Sequence, residues 1–135
     1  MFDTKFVITV REDLATWQKL NVTAFLATGV SAGTLGLIGE PYKDAAGHDY
    51  YAICRQPIIV LSADAAGMDK IQERALSRGV DAALYIDDMF STSHDAANRE
   101  VFSKCAPGTA RIAGIAFHAD KKLADKITKG AKMHP

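Results

Sequence analysis

Four short stretches of nearly continuous apolar, largely β-branched residues punctuate this chain: Phe6–Val10, Pro57–Leu61, Val80–Ile86 and Arg111–Phe117. Each leads into a segment with helical spacing. A strand without polar alternation is one buried on both faces, and that burial needs helices on each side of a sheet. The pattern predicts an α/β fold, a three-layer α/β/α arrangement around a mostly parallel, four-stranded mixed sheet. With 135 residues the chain makes one domain, 1–135, and size scaling gives about 6,900 Å² of accessible surface for a compact fold.

The helices are marked by their ends. Asp13 or Thr16 can cap the first, whose apolar positions run from Trp17 through Leu20 and Phe25 to Val30, with a stop near Gly29 or Gly33. Asp64 caps a second that ends at Arg78, with Gly79 in the left-handed position. Thr92 or Ser93 caps a third through Lys104, and Asp120 opens a fourth. Asp95/Arg99 and Glu100/Lys104 are i,i+4 pairs in the favoured order. Residues 34–56 interrupt the alternation: Pro41–Lys43 and Tyr50–Ile53 flank a turn around Asp44–Asp49, which predicts an inserted hairpin acting as a lid.

Composition narrows the function. Sixteen Lys and Arg balance sixteen Asp and Glu, and a chain without surplus cations is a poor general binder of nucleic acid. The longest uncharged stretch, Leu20–Gly39, holds too many polar residues and glycines to span lipid. No secretory signal is legible. Cys54 and Cys105 form no Cys-x-x-Cys and are expected to be reduced thiols of a cytoplasmic protein. No His or Cys spacing suits a metal, no glycine-rich phosphate loop occurs, and no cofactor is expected. Five lysines in the last sixteen residues read as a solvated helix face or as a contact for an anion.

In open α/β sheets ligands bind at the carboxyl ends of strands, which selects Arg11–Thr23 and Asp87–Asn98. Asn21 sits inside an otherwise apolar helix. Either it caps a late helix start or faces water, or it stands with Lys19 at a helix N-terminus facing a ligand. The second segment packs Asp87, Asp88, Ser91, Thr92, Ser93, His94, Asp95, Asn98 and Arg99 into thirteen residues. His94 and Asn98 share a helix face, and a histidine near a carboxylate and a hydroxyl can do acid–base work. An ordinary capped surface helix has the same composition.

Three segments together resemble the peptidyl-tRNA hydrolase II superfamily: Val7–Leu14 with the helix Asn21–Ala27, the helix–Gly79–strand unit ending at Ile86–Asp87, and Ile112–Ile115 followed by Asp125–Gly130. The chain is similar more closely, over nearly its whole length, to a small bacterial family of unknown function within that superfamily. This likeness lies in Trp17–Leu26, Gly39–Tyr42, Phe90–Asp95 with Asn98, and Lys129–Gly130. It implies the peptidyl-tRNA hydrolase II-like fold and a tendency to form homodimers. Peptidyl-tRNA hydrolases of this type open the first helix with a lysine. That slot holds Asn21 here, and of their Asp-Ala-Gly-Arg-Thr-Gln run only the aspartate, as Asp87, and a hydroxyl, as Ser91, carry over. A missing cation removes an attraction for phosphate or for a developing oxyanion.

The leading expectation is a hydrolase or acyl-transfer enzyme on a small substrate. His94 would be the base, Asn21 an oxyanion donor, Asp87 the orienting group and Thr92 a further catalytic hydroxyl. Lys19, Thr23, Ser91, Asn98, Arg99 and Tyr42 would bind the substrate. This reading requires the tips of the first and third strands to lie side by side. The alternatives are a non-catalytic small-molecule binding or interaction module and a peptidyl-tRNA hydrolase. A homodimer joined through Tyr42, Tyr51 and Ile53 is also expected.

Overall fold

The computed structural model describes residues 2–135. Strand β1 (Thr4–Arg11) leads into α1 (Thr16–Gly33), then come β2 (Tyr42–Lys43), β3 (Asp49–Tyr50), β4 (Ile58–Ala63), α2 (Ala65–Ser77) and β5 (Ala83–Ile86). A single 3₁₀ turn (Asp87–Ser91) precedes α3 (Asp95–Ser103), β6 (Ile112–Asp120), α4 (Lys121–Ile127) and β7 (Lys132–Met133). The main sheet has the order β5-β6-β1-β4-β7. No helix among the described residues is long and apolar enough to cross a membrane.

The α/β class holds, but the sheet has five strands rather than four, and its pairing is not mostly parallel. Only β1 and β4 pair parallel; β6 runs antiparallel to both β1 and β5, and β7 antiparallel to β4. The reason lies in the excursion after β5. The Asp87 N–H donates to the Arg111 carbonyl at 3.0 Å, so residues 87–111 leave and return at the same end of the sheet. Helix α3 is therefore no crossover, and β6 must run back down. The extra strand, β7, is two residues long and carries no periodicity to read. It forms because Gly130 (φ +98°) turns the chain beside β4, where the His134 N–H reaches the Val60 carbonyl at 3.0 Å.

Strand β1 is buried on both faces, as its composition demands. Phe6, Ile8 and Val10 face Val22, Leu26 and Val30 of α1. Val7 faces the other way, with Ile115 and Phe117 of β6, toward Met68, Ile71 and Ala75 of α2 and Ala124 and Ile127 of α4. Gly114 lets α1 settle on the sheet: a Cβ there would lie 2.5 Å from Val22 Cγ1 and 2.8 Å from Leu26 Cδ1. The α2 boundaries follow the expected logic. Asp64 accepts from the Gly67 N–H at 2.8 Å, and Gly79 (φ +66°) closes the helix with its N–H on the Leu76 carbonyl.

Two expected caps differ. Helix α1 starts at Thr16, with the Ala15 N–H met by Gln18 Oε1, because the Asp13 carboxylate is taken by arginines. Helix α3 is capped by His94 rather than Thr92 or Ser93. The inserted hairpin is present as β2 paired with β3. Its base lies near Thr4, where Gln56 hydrogen-bonds the Thr4 side chain and carbonyl. That is the opposite end of β1 from Arg11, a distance of about 23 Å along eight extended residues.

Candidate functional site

Strands β1 and β5 do not lie side by side, because β6 runs between them. Their tips are joined instead by one long side chain. Arg11 ends β1 with its guanidinium buried and satisfied: Nε donates to Asp13 Oδ1 at 2.6 Å, and Nη1 donates to Asp87 Oδ1 at 2.8 Å and to the Ile112 carbonyl at 2.9 Å. Nη2 donates to Asp87 Oδ2 at 3.0 Å, completing a two-pronged grip on the carboxylate. Arg111 adds a donor to Asp87 at 3.2 Å and one to Asp13 at 3.3 Å. Two guanidiniums and two carboxylates thus cancel at the strand tips, beside a register shift at Tyr85/Ile86.

Burial alone would lower the basicity of Arg11, but the hydrogen bonds and charges of Asp87 and Asp13 outweigh it and raise its pKa. The hydrogen bond from Arg11 holds the Asp13 carboxyl below its ordinary range, against an opposing burial effect and with help from both arginine charges. Arg11 falls at the start of the strand-end segment that the sequence selects, but it was not singled out as a site residue. Nothing local to the sequence showed that it would reach Asp87, 76 positions away.

The other expected site residues are mostly engaged in local structure. His94 Nδ1 accepts from the Ala97 N–H at 3.2 Å, capping α3. A neutral imidazole accepting at Nδ1 carries its proton on Nε2, which leaves no free lone pair for a base. Among the described residues no hydrogen bond joins His94 to Asp87. Thr92 Oγ1 lies 2.9 Å from the Met89 carbonyl and also contacts the Asn98 side-chain amide. Ser91 donates to the Asp88 carbonyl at 3.0 Å. Because α1 begins at Thr16, Lys19 and Asn21 are interior positions and do not form a helix N-terminus. Thr23 donates back to the Lys19 carbonyl at 2.7 Å. Tyr42 sits on the hairpin opposite Tyr50. The structure brings Thr92 to Asn98, and Asp95 to Arg99 at 2.8 Å; it does not gather Asp87, His94 and Asn21.

What the structure adds is a cleft of about 470 Å³ between α1, β5 and α3. Phe25 forms one wall and Phe102 the other, both partly exposed, over Leu26, Tyr85 and Met89. Asn98, Arg99 and Asp95 stand on the α3 side. The apolar floor continues as a chain of aromatic contacts, Phe25–Tyr85 at 5.8 Å, Tyr85–Phe90 at 5.1 Å and Phe90–Trp17 at 6.0 Å. Tyr85 is only 6% exposed, and burial raises its pKa. Its hydroxyl has no protein partner among the described residues. No residue of the 34–56 hairpin lines this cleft.

Residues 4–135 match the family described as "Protein of unknown function (DUF2000)". The chain belongs to that family. The expectation of a family of unknown function is met, whereas the wider superfamily does not come out of the comparison. Among solved structures, the chain is similar to Atu0240, a protein of unknown function from Agrobacterium tumefaciens strain C58. It is 54% identical to this chain, covers 100% of both chains and superposes with a TM-score of 0.97. No curated protein matches the chain. The fold of this DUF2000 member is thus shared along its full length with Atu0240, and the match carries no activity with it.

Proposed function

We propose that this protein binds a small, largely apolar ligand in the cleft between α1, β5 and α3, as a binding module rather than as a hydrolase or acyl-transfer enzyme. The observation that carries the reading is the aromatic cleft lined by Phe25, Tyr85 and Phe102. Its volume falls within the range of small-molecule sites, and its lining is apolar with a few polar groups. Phe25, Phe102 and Met89 suit an aromatic or branched aliphatic body. Tyr85 offers a hydroxyl donor to a carbonyl or carboxylate on the ligand, and Asn98 and Arg99 are further polar residues of the cleft lining. Acyl transfer finds less support, because Asp87 is held by two arginines and His94 is committed to a helix cap.

The likeness to the peptidyl-tRNA hydrolase II superfamily stays part of this reading at the level of fold. It is supported by the succession β1–α1, α2–Gly79–β5 and β6–α4 around a mixed sheet with helices on both faces. Balanced charge and Asn21 in place of a lysine weigh against a peptidyl-tRNA substrate.

A thermal-shift screen of aromatic carboxylates and amides tests the reading, followed by NMR mapping of any binder. Stabilisation is expected, with shifts on Phe25, Tyr85 and Phe102. Tyr85→Phe should weaken binding about tenfold, the loss of one net hydrogen bond. A binder that maps elsewhere overturns the reading. So does turnover of any such compound that Asp87→Ala and His94→Ala abolish.

A further inference from the structure

We propose that the free edge of β5 takes up a short extended peptide, which lies between β5 and α3 as an added strand of the main sheet. The ligand class rests on the reading of the cleft given above: the main chain of the peptide pairs with β5, and one apolar side chain enters between Phe25 and Phe102. Strand β5, four residues long, ends the sheet on its side and has β6 as its one neighbour. Successive side chains of a strand point to opposite faces. Ala83 and Tyr85 pack with the cluster under α1, and Leu84 packs with the cluster under α2. All three nevertheless line the same cleft. A cavity that touches consecutive residues from both faces runs along the backbone edge of the strand. There, alternate residues turn their N–H and C=O away from β6. No hydrogen bond among the described residues meets Ala83–Ile86 on that side.

Helix α3 forms the far wall. None of its residues is buried, and it packs chiefly on the 3₁₀ turn rather than on β5. Asn98 and Phe102, four apart and so on one helix face, line the cleft across from the strand. An edge strand with a helix standing off it is the geometry in which peptides add to sheets. The opposite edge of the sheet is blunted in the usual way: β7 is two residues long and carries Lys132. Strand β5 has neither a charge nor a proline to guard it. On the α3 wall Asp95 and Arg99 cancel each other at 2.8 Å, so the rim complements an uncharged amide backbone. The open edge also continues past β5. Its pairing with β6 begins at Ala83↔Ala116, and a second cavity of about 740 Å³ is lined by Phe117 and His118 of β6 with Gly29 and Gly33 of α1. The two cavities meet at Ala83, which lines both. The four residues of β5 extend about 13 Å, and one further step fits a pentapeptide.

The test uses the full chain and three probes: N-acetyl-phenylalanine amide, a capped pentapeptide of threonine with a central phenylalanine, and that pentapeptide N-methylated at alternate residues. Threonine keeps the peptide soluble and favours the extended form. NMR titration should show the pentapeptide binding at least about tenfold tighter than the single amide, with new hydrogen-exchange protection within Ala83–Ile86. N-methylation should follow the period of a strand. One alternate set should weaken binding about tenfold or more, and the set offset by one residue should leave it unchanged. If the single amide shifts Phe25 and Phe102 but the pentapeptide binds no tighter, or if the two methylated sets behave alike, the added strand is overturned and the small-ligand cleft stands. If no probe maps to the cleft, both readings fall. Protection of Ala83–Ile86 that rises with protein concentration in the absence of peptide also overturns the proposal, by giving the edge to a second copy of the chain.

Discussion

Replacing Arg11 by Met asks whether the network at the strand tips is a structural clamp. The guanidinium is buried and makes four hydrogen bonds, three of them to carboxylate oxygens. Its loss leaves Asp87 with Arg111 alone, at 3.2 Å, and Asp87 is itself only 29% exposed at its side chain. Breaking a buried pair by removing one partner costs about 3–5 kcal/mol, because the remaining charge stays desolvated. Asp13 is largely exposed and recovers water, so the lower end, about 3 kcal/mol, is expected for Arg11→Met. For a chain of this length that corresponds to a melting temperature lower by about 10 °C. Urea denaturation followed by circular dichroism reads the difference, provided the transition stays two-state with an unchanged slope. The double variant Arg11→Met/Asp87→Leu should regain most of the loss, since a buried pair replaced by apolar groups of similar volume is close to neutral. A loss below about 1 kcal/mol for Arg11→Met would refute the clamp and make Asp87 available for another role.

Three further outcomes follow from local geometry. Thr9→Val should stabilise the protein by about 1 kcal/mol in the same denaturation assay, because Thr9 Oγ1 is buried without a partner among the described residues and valine keeps the shape. Gly114→Ala should destabilise by about 1–3 kcal/mol, since the added methyl meets Val22 and Leu26 of α1 well inside contact distance. Asp13 has a folded-state pKa below its unfolded value, so its contribution is present above the unfolded value, about 3.9, and is lost as pH falls through the folded one. Asp13→Asn should therefore cost under about 1 kcal/mol at pH 7, given the exposure of the carboxylate, and the gap to wild type should close as the pH falls below about 4.

How far the sequence could be read depended on the range over which each signal acts. Local signals were sound: the continuous apolar runs are the four long strands, and Asp64 and Gly79 bound α2 as their side-chain and backbone chemistry requires. Strand direction was not legible, because it is decided by where a connection returns. Nothing in residues 87–111 distinguishes a helix that crosses the sheet from one that caps its end; the antiparallel β5–β6 ladder, closed by the Asp87 N–H on the Arg111 carbonyl, shows which of the two forms. The site failed for a related reason. Asp87, His94 and Asn21 were grouped by chemical type, yet each has a structural use that a sequence cannot rank against catalysis: a salt bridge to an arginine 76 positions away, a helix cap and a helix interior. The cleft was missed because its lining is what ordinary core looks like. Phe25, Tyr85 and Phe102 come from three separate elements, and only their juxtaposition distinguishes a cavity wall from packing. For a binding module that selects an apolar ligand, this is the expected outcome. Such a site is assembled from core-like residues left partly uncovered, so it becomes visible in the packing and not in the alphabet of reactive side chains.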